Sequence, residues 1–133
     1  MRILSRMRIK KLTPVLVVDS IEPILPLWDA LGFARTAEVP HGDRLGFVIL
    51  AADGLEIMYQ TFASIRDDDA AALEGTRALG AAGLFIEVDD LDACESKLPP
   101  DTDVFARRRK TFYGSTETIV RDAAGNIITF AQF

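Results

Sequence analysis

Few side chains in this 133-residue sequence are placed where they could do chemistry, and Glu56 is the first of them. It stands between Leu55 and Ile57 in an apolar stretch, so its carboxylate either faces a cavity or meets a basic partner such as Arg44 or Arg121. A cavity-facing, unpaired carboxylate is made a stronger base by desolvation, which suits proton abstraction or the anchoring of a ligand cation. Glu56 is therefore the candidate catalytic residue. His41, the single histidine, lies in the polar turn Pro40-His41-Gly42-Asp43 and reads as a surface residue. One histidine cannot build the nitrogen-rich sites that hold zinc, nickel or non-haem iron, and one buried carboxylate is too few hard ligands for magnesium or calcium. No metal and no cofactor are expected.

Cys94, the only cysteine, has no partner for an internal disulfide and falls on an apolar stripe, as a buried structural thiol does. Arg107-Arg108-Arg109-Lys110 is the one dense basic run. On a strand its alternation would send two charges to each face, and the simplest place for it is an exposed edge strand guarded by charge. There is no phosphate-cradling glycine loop, nucleophile elbow or cysteine pair. Enzymatic options narrow to acid-base chemistry on a bound molecule.

The elements that must position these residues repeat. Leu12 to Phe33, LTPVLVVDSIEPILPLWDALGF, reads as a strand, a cap and a short helix, and GLFIEVDDLDACESKL restates it 70 positions later. Val15 to Val18 is an unbroken apolar run of the kind covered on both faces. Ser20 is placed to cap a helix whose Ile21, Ile24, Leu25, Trp28 and Leu31 share a face and whose Gly32 ends it, with Pro26 bending or tightening it. Strands follow at Ala34 to Val39, Leu45 to Ala51 and Leu55 to Gln60, then a small, polar stretch with a short helix over 61–82. The second half gives a strand from Leu84 to Val88, a helix from Leu91 to Leu98, and strands over Val104–Lys110, Ser115–Arg121 and Ile127–Gln132. Gly54-Leu-Glu-Ile-Met-Tyr59 matches Gly125-Asn-Ile-Ile-Thr-Phe130 at a spacing of 71.

The expected fold class is α+β: two tandem βαβββ units, about 12–60 and 83–133, related by a pseudo-twofold axis, their curved sheets enclosing a cavity, with 61–82 as linker. Residues 1–11 form a basic leader, since Arg2, Arg6, Arg8, Lys10 and Lys11 face no acidic residue there. The net charge of −5 thus hides a body of 10 positive and 20 negative side chains. An acidic body disfavours nucleic acid and suits a cationic small ligand. No apolar run is long enough for a membrane span or secretory signal, which points to the cytoplasm.

The strand ending in Val-Asp-Ser-Ile, the segment Leu-Trp-Asp-Ala-Leu-Gly-Phe, Tyr113-Gly114, and Arg121-Asp-Ala-Ala-Gly-Asn-Ile-Ile-Thr-Phe130 together resemble the glyoxalase, bleomycin-resistance and extradiol-dioxygenase (vicinal oxygen chelate) superfamily, closest to its metal-free bleomycin-resistance branch. Members with metal chemistry carry His, Glu, His and Glu on the first, fourth, fifth and eighth strands. Those positions fall here at Thr13, Glu56, Gly83 and Thr129, of which only Glu56 could bind a metal.

The resemblance implies a homodimer whose paired subunits complete the pockets, and a drug-sequestering, small-molecule-binding role for a cationic or aromatic ligand. By strand parity with Thr13 and Glu56, the cavity group is Val15, Val17, Met58, Phe85 and Thr129, with Tyr113 and Phe112 at its mouth. Two other readings stand beside binding: a glyoxalase-like lyase or isomerase with Glu56 as base, and a ligand-free regulatory or partner-binding domain.

Overall fold

Alternation of apolar and polar side chains dictates eight strands, and they assemble in the order the repeat requires. Residues 7–76 and 80–133 are described by the structure, a computed structural model. The first unit comprises β1 (Val15–Val18), a 3-10 turn (Glu22–Ile24), α1 (Leu25–Ala30), β2 (Ala34–His41), β3 (Arg44–Ala52) and β4 (Leu55–Thr61). Two short helices follow, α2 (Phe62–Asp68) and α3 (Ala70–Thr76). The second unit comprises β5 (Gly83–Glu87), α4 (Leu91–Lys97), β6 (Asp103–Lys110), β7 (Thr116–Arg121) and β8 (Ile127–Gln132). Arg2 and Arg6 of the basic segment and positions 77–79 of the connecting stretch lie outside the described residues.

The strands form two four-stranded sheets, β1-β4-β3-β2 and β5-β8-β7-β6, with no closed barrel among them. β1 runs parallel to β4 and β5 parallel to β8, while the other pairings are antiparallel, so the repeat is one of topology as well as text. Every apolar side chain expected on the Trp28 helix is buried except Leu31, which packs partly buried at the edge of the core. Leu16, Val18, Ile57 and Tyr59 of the first sheet and Val120, Ile128 and Phe130 of the second share this core with α1, Leu91 and Cys94. No helix among the described residues is long and apolar enough to cross a membrane.

Three local expectations are corrected. The β1 run is covered on one face only: Leu16 and Val18 are buried, but Val15 is 46% exposed and Val17 half-buried. Its β-branched composition suits a strand either way, and the second cover would have to come from outside the chain's own helices. Ser20 does not cap the helix, because the chain enters through Ile21 and a 3-10 turn holding Pro23, and the α-helix begins only at Leu25. Pro26 cannot donate the hydrogen bond that would continue one helix through both segments. The basic run does not alternate evenly, since the β6–β7 register shifts between Ala106 and Arg109 and Arg108 adopts a positive φ of 52°. The bulge lets Arg107 and Arg108 both reach α4, at Glu95 and Asp92, and sends Arg109 to Glu117. β6 is an edge strand, as expected of such a charged run.

One polar chain crosses the core. Trp28 Nε1–H donates to the Tyr59 hydroxyl at 3.1 Å, and Tyr59 donates to Asp122 Oδ2 at 3.0 Å, tying α1 and β4 to the β7–β8 turn of the other unit. Asn126 Nδ2 donates to the same oxygen at 2.9 Å, while the backbone N–H groups of Ala124 and Asn126 donate to Oδ1. Burial pushes the Tyr59 phenol far above its ordinary range, with the Asp122 charge adding to the effect, so it stays a protonated donor. Replacing Tyr59 by Phe leaves the indole N–H without its acceptor and removes one donor to Asp122. The expected loss is about 1–3 kcal/mol of unfolding free energy. Urea denaturation of Tyr59→Phe checks it, and an unchanged midpoint would contradict the relay.

Candidate functional site

Parity and register sort the expected site residues onto two sheet faces. On the first sheet, Val15 pairs with Met58 and Val17 with Gln60, and Glu56 lies two residues before Met58, so Val15, Val17, Glu56 and Met58 share the face turned away from the helical core. Thr13 is half-buried two residues before β1. On the second sheet Phe85 lies opposite Thr129, and Thr129 opposite Ile119, on the corresponding open face. Tyr113 is in the β6–β7 connection, 45% exposed and edge-on to the fully exposed Phe112. Of these residues, Glu56 and Phe85 line one cavity.

Glu56 and Phe85 are brought together. They border a cavity of about 220 Å³ between the lead-in to β1, the start of β4 and the middle of β5. Pro14, Phe33, Leu55, Ile57, Leu84 and Ile86 supply its apolar wall. Neither Arg44 nor Arg121 is the partner of Glu56. Lys11 takes that place, its Nζ 2.9 Å from Glu56 Oε2. Arg121 instead lies 4.1 Å over the Phe105 ring and 3.6 Å from Asp103, and Arg44 acts electrostatically on Glu22. A second cavity of about 450 Å³ shares Phe33, Leu55 and Ile86 with the first and is bordered by Asp53, Glu87, Asp89 and Asp90, with Lys97 as its cation. The groove between the units therefore has an apolar floor and a mostly acidic rim.

Glu117 is the functional candidate that the sequence does not advertise. Its side chain is only 3% exposed, yet it carries an ion pair to Arg109 Nε at 3.4 Å. It accepts hydrogen bonds from the Tyr113 hydroxyl and, at 2.8 Å, from the Ser115 hydroxyl. Burial alone would raise its pKa, but the hydrogen bonds from Tyr113 and Ser115 and the charge of Arg109 prevail and hold the carboxyl below its usual value. Thr111 and Ser115 bond one another through both backbone and side chains, so the connection is closed at its base and Glu117 fixes the tyrosine on it. Phe133 stands 6.3 Å from Tyr113 and 6.4 Å from Phe85, making an aromatic row from the Tyr113 connection to the wall of the Glu56 cavity.

His41 and Cys94 take no part in this arrangement. His41 Nε2 lies 2.6 Å from Asp67 at the end of β2, and that hydrogen bond holds Asp67 below the ordinary carboxylate range. Cys94 is buried, and desolvation with the neighbouring Glu95 charge pushes its thiol up to about 11, a weak nucleophile.

Solved structures with this arrangement decide the fold. A glyoxalase/bleomycin resistance protein/dioxygenase from Nocardioides superposes with a TM-score of 0.70 at 11% identity, covering 98% of this chain and 87% of that one. A lactoylglutathione lyase from Agrobacterium tumefaciens gives 0.71 at 15% identity, covering 94% and 95%. The chain has the vicinal oxygen chelate fold. An integron cassette protein from V. cholerae also matches, with a TM-score of 0.67 at 20% identity over 97% of this chain and 99% of that one. No protein-family profile and no curated protein matches the sequence.

The four positions at which metal-dependent members of this fold carry ligands do not fit a metal here. Glu56 is the single ligating side chain among Thr13, Glu56, Gly83 and Thr129, and its charge is met by Lys11. Among the described residues no three His, Cys, Asp or Glu side chains converge as a metal-binding group.

Because Glu117 is depressed in the folded state, its contribution to stability is present above its unfolded pKa near 4.5 and is lost as the pH falls through the folded value. Urea midpoints measured from pH 7 downwards should fall more steeply for the wild type than for Glu117→Gln below about pH 5. Parallel curves would remove Glu117 from the acid transition.

Proposed function

We propose that this chain is a metal-independent small-molecule-binding protein of the bleomycin-resistance type, taking its ligand at the Glu56 cavity and along the Phe85–Phe133–Tyr113 row. The observation that carries the reading is the juxtaposition of one carboxylate with an apolar wall in a recess of about 220 Å³. Apolar walls bind by desolvation while a few polar groups set orientation, the usual character of a small-molecule site. The mostly acidic rim and net charge of −5 favour a ligand with a cationic group and an apolar or aromatic body. A drug-sequestering role follows if that ligand is toxic.

Val15 and Phe85 are about half exposed on the two open sheet faces, and a second copy of the chain would cover them. A cytoplasmic homodimer with Thr13, Val15, Val17, Met58 and Thr129 lining the completed pockets is part of the proposal. The glyoxalase-like alternative assigns Glu56 as base. The Lys11 ammonium already seated on that carboxylate shows the site receiving a cation, which favours anchoring over proton abstraction.

Calorimetric titration with cationic glycopeptides and aromatic amines should give saturable binding that chelators leave unchanged, with no stoichiometric zinc, nickel, manganese or iron in protein purified without added metal. Glu56→Gln should weaken binding of a cationic ligand by about 1.5–3 kcal/mol, the worth of a hydrogen bond to a charged group. Unaltered affinity would remove Glu56 from the site, and stoichiometric metal would overturn the metal-free reading.

A further inference from the structure

The two units treat the segment leading into their first strand differently. Before β5, Ala82 N–H donates to the Asn126 side chain at Oδ1, 2.8 Å, and the Ala82 carbonyl accepts from Ile127 N–H at 2.9 Å, so both backbone groups of Ala82 tie the lead-in to the second unit. Before β1 the backbone tie is Met58 N–H to the Pro14 carbonyl at 3.0 Å, two positions further in than Leu12, the counterpart of Ala82. Outward of Pro14, residues 7–12 are all exposed, and the contact that brings them to the body is Lys11 Nζ on Glu56 Oε2. Lys11 and Leu12 thereby form part of the wall of the Glu56 cavity.

A lysine is a primary ammonium on an apolar four-carbon stem, and here it sits with its head on the only carboxylate of an apolar recess. We infer that Lys11 is an internal surrogate for the ligand: the Glu56 cavity takes a primary amine with an apolar body, and Lys11 is a latch that the ligand's ammonium displaces. This rests on the binding role proposed above and adds to it a ligand class and a built-in competitor. The latch is weak enough to yield. Lys11 is 59% exposed, and exposed ion pairs shift an equilibrium by no more than about fivefold. A site that is competent only when the latch is open binds with an affinity lowered by the open fraction, so removing Lys11 restores what the latch withholds.

Fluorescence titration of the full chain with dansylcadaverine, a primary alkylamine on an aromatic body, tests the inference against dansylamide, which shares the aromatic body but lacks the alkylammonium. Lys11→Ala should tighten dansylcadaverine about two- to fivefold at low ionic strength, with the gain shrinking in high salt. Lys11→Ala should tighten dansylcadaverine more than dansylamide, and that difference should vanish in a Glu56→Gln background. Equal or weaker dansylcadaverine binding by Lys11→Ala overturns the latch, as does binding of dansylamide with no preference for the amine, and both outcomes leave small-molecule binding intact. Failure of both probes to bind wild type and variant overturns the latch and counts against the cavity itself. Circular dichroism of Lys11→Ala, a change on an exposed side chain, confirms that the comparison is between folded proteins.

Discussion

The hydrogen-bonded line from Trp28 through Tyr59 to Asp122 determines how the two halves meet. Trp28 and Tyr59 are fully buried, so an indole N–H and a phenol would each be costly without a partner. Each finds it, and the last acceptor belongs to the other unit. The repeat shows that this link is single. At the matching positions of the second unit stand Leu98 and Phe130, which carry no such donor pair, and the counterpart of Asp122 is Ala52. A wholly apolar junction would tolerate small shifts, whereas a relay with fixed distances specifies one arrangement. Because that arrangement places β5 beside the start of β4, it also creates the groove that holds Glu56 and Phe85.

Committing α1 and α4 to a shared core has a second effect. Each sheet has two faces and each unit one helix packed on its sheet, so the other face of each sheet is left for something else. The open faces carry Val15, Met58, Phe85 and Thr129, apolar or weakly polar side chains that would rarely be left bare over so wide an area. The lining of the proposed pocket and the surface proposed for self-association are thus the same residues, and ligand affinity should depend on protein concentration wherever the two processes share them.

Most of the scaffold was legible because strand parity is a strict code. β1 in the sequence is Val15–Val18 in the structure, and the alternation in Leu55–Thr61 places Glu56 and Met58 on one face and Ile57 and Tyr59 on the other. What could not be read depends on positions the code does not reach. Whether Val15 is covered is decided by what lies across the sheet. The positive φ at Arg108 has no glycine to announce it, and it reverses the alternation of the basic run. Glu117 sits between two threonines in a strand where a charge ordinarily marks the solvent side, and only the fold of the Thr111–Ser115 connection brings Tyr113 and Ser115 onto it. Lys11 belongs to a segment whose composition reads as a solvated leader, so its pairing with Glu56, 45 residues away, carries no local signal.

The repeat duplicated the scaffold and left the chemistry unpaired. Glu56 corresponds to Ile127, Met58 to Thr129 and Thr13 to Gly83, so an ionisable side chain occurs on one side of the pseudo-twofold axis and none at its mate. A metal enclosed by this fold would draw ligands from both units and so needs the pair. An ammonium needs a single carboxylate and an apolar surround to receive its stem. The asymmetry that leaves Glu56 without a ligating mate in the other unit is the same asymmetry that suits an amine, and Lys11 resting on Glu56 meets that requirement with a group the chain already carries.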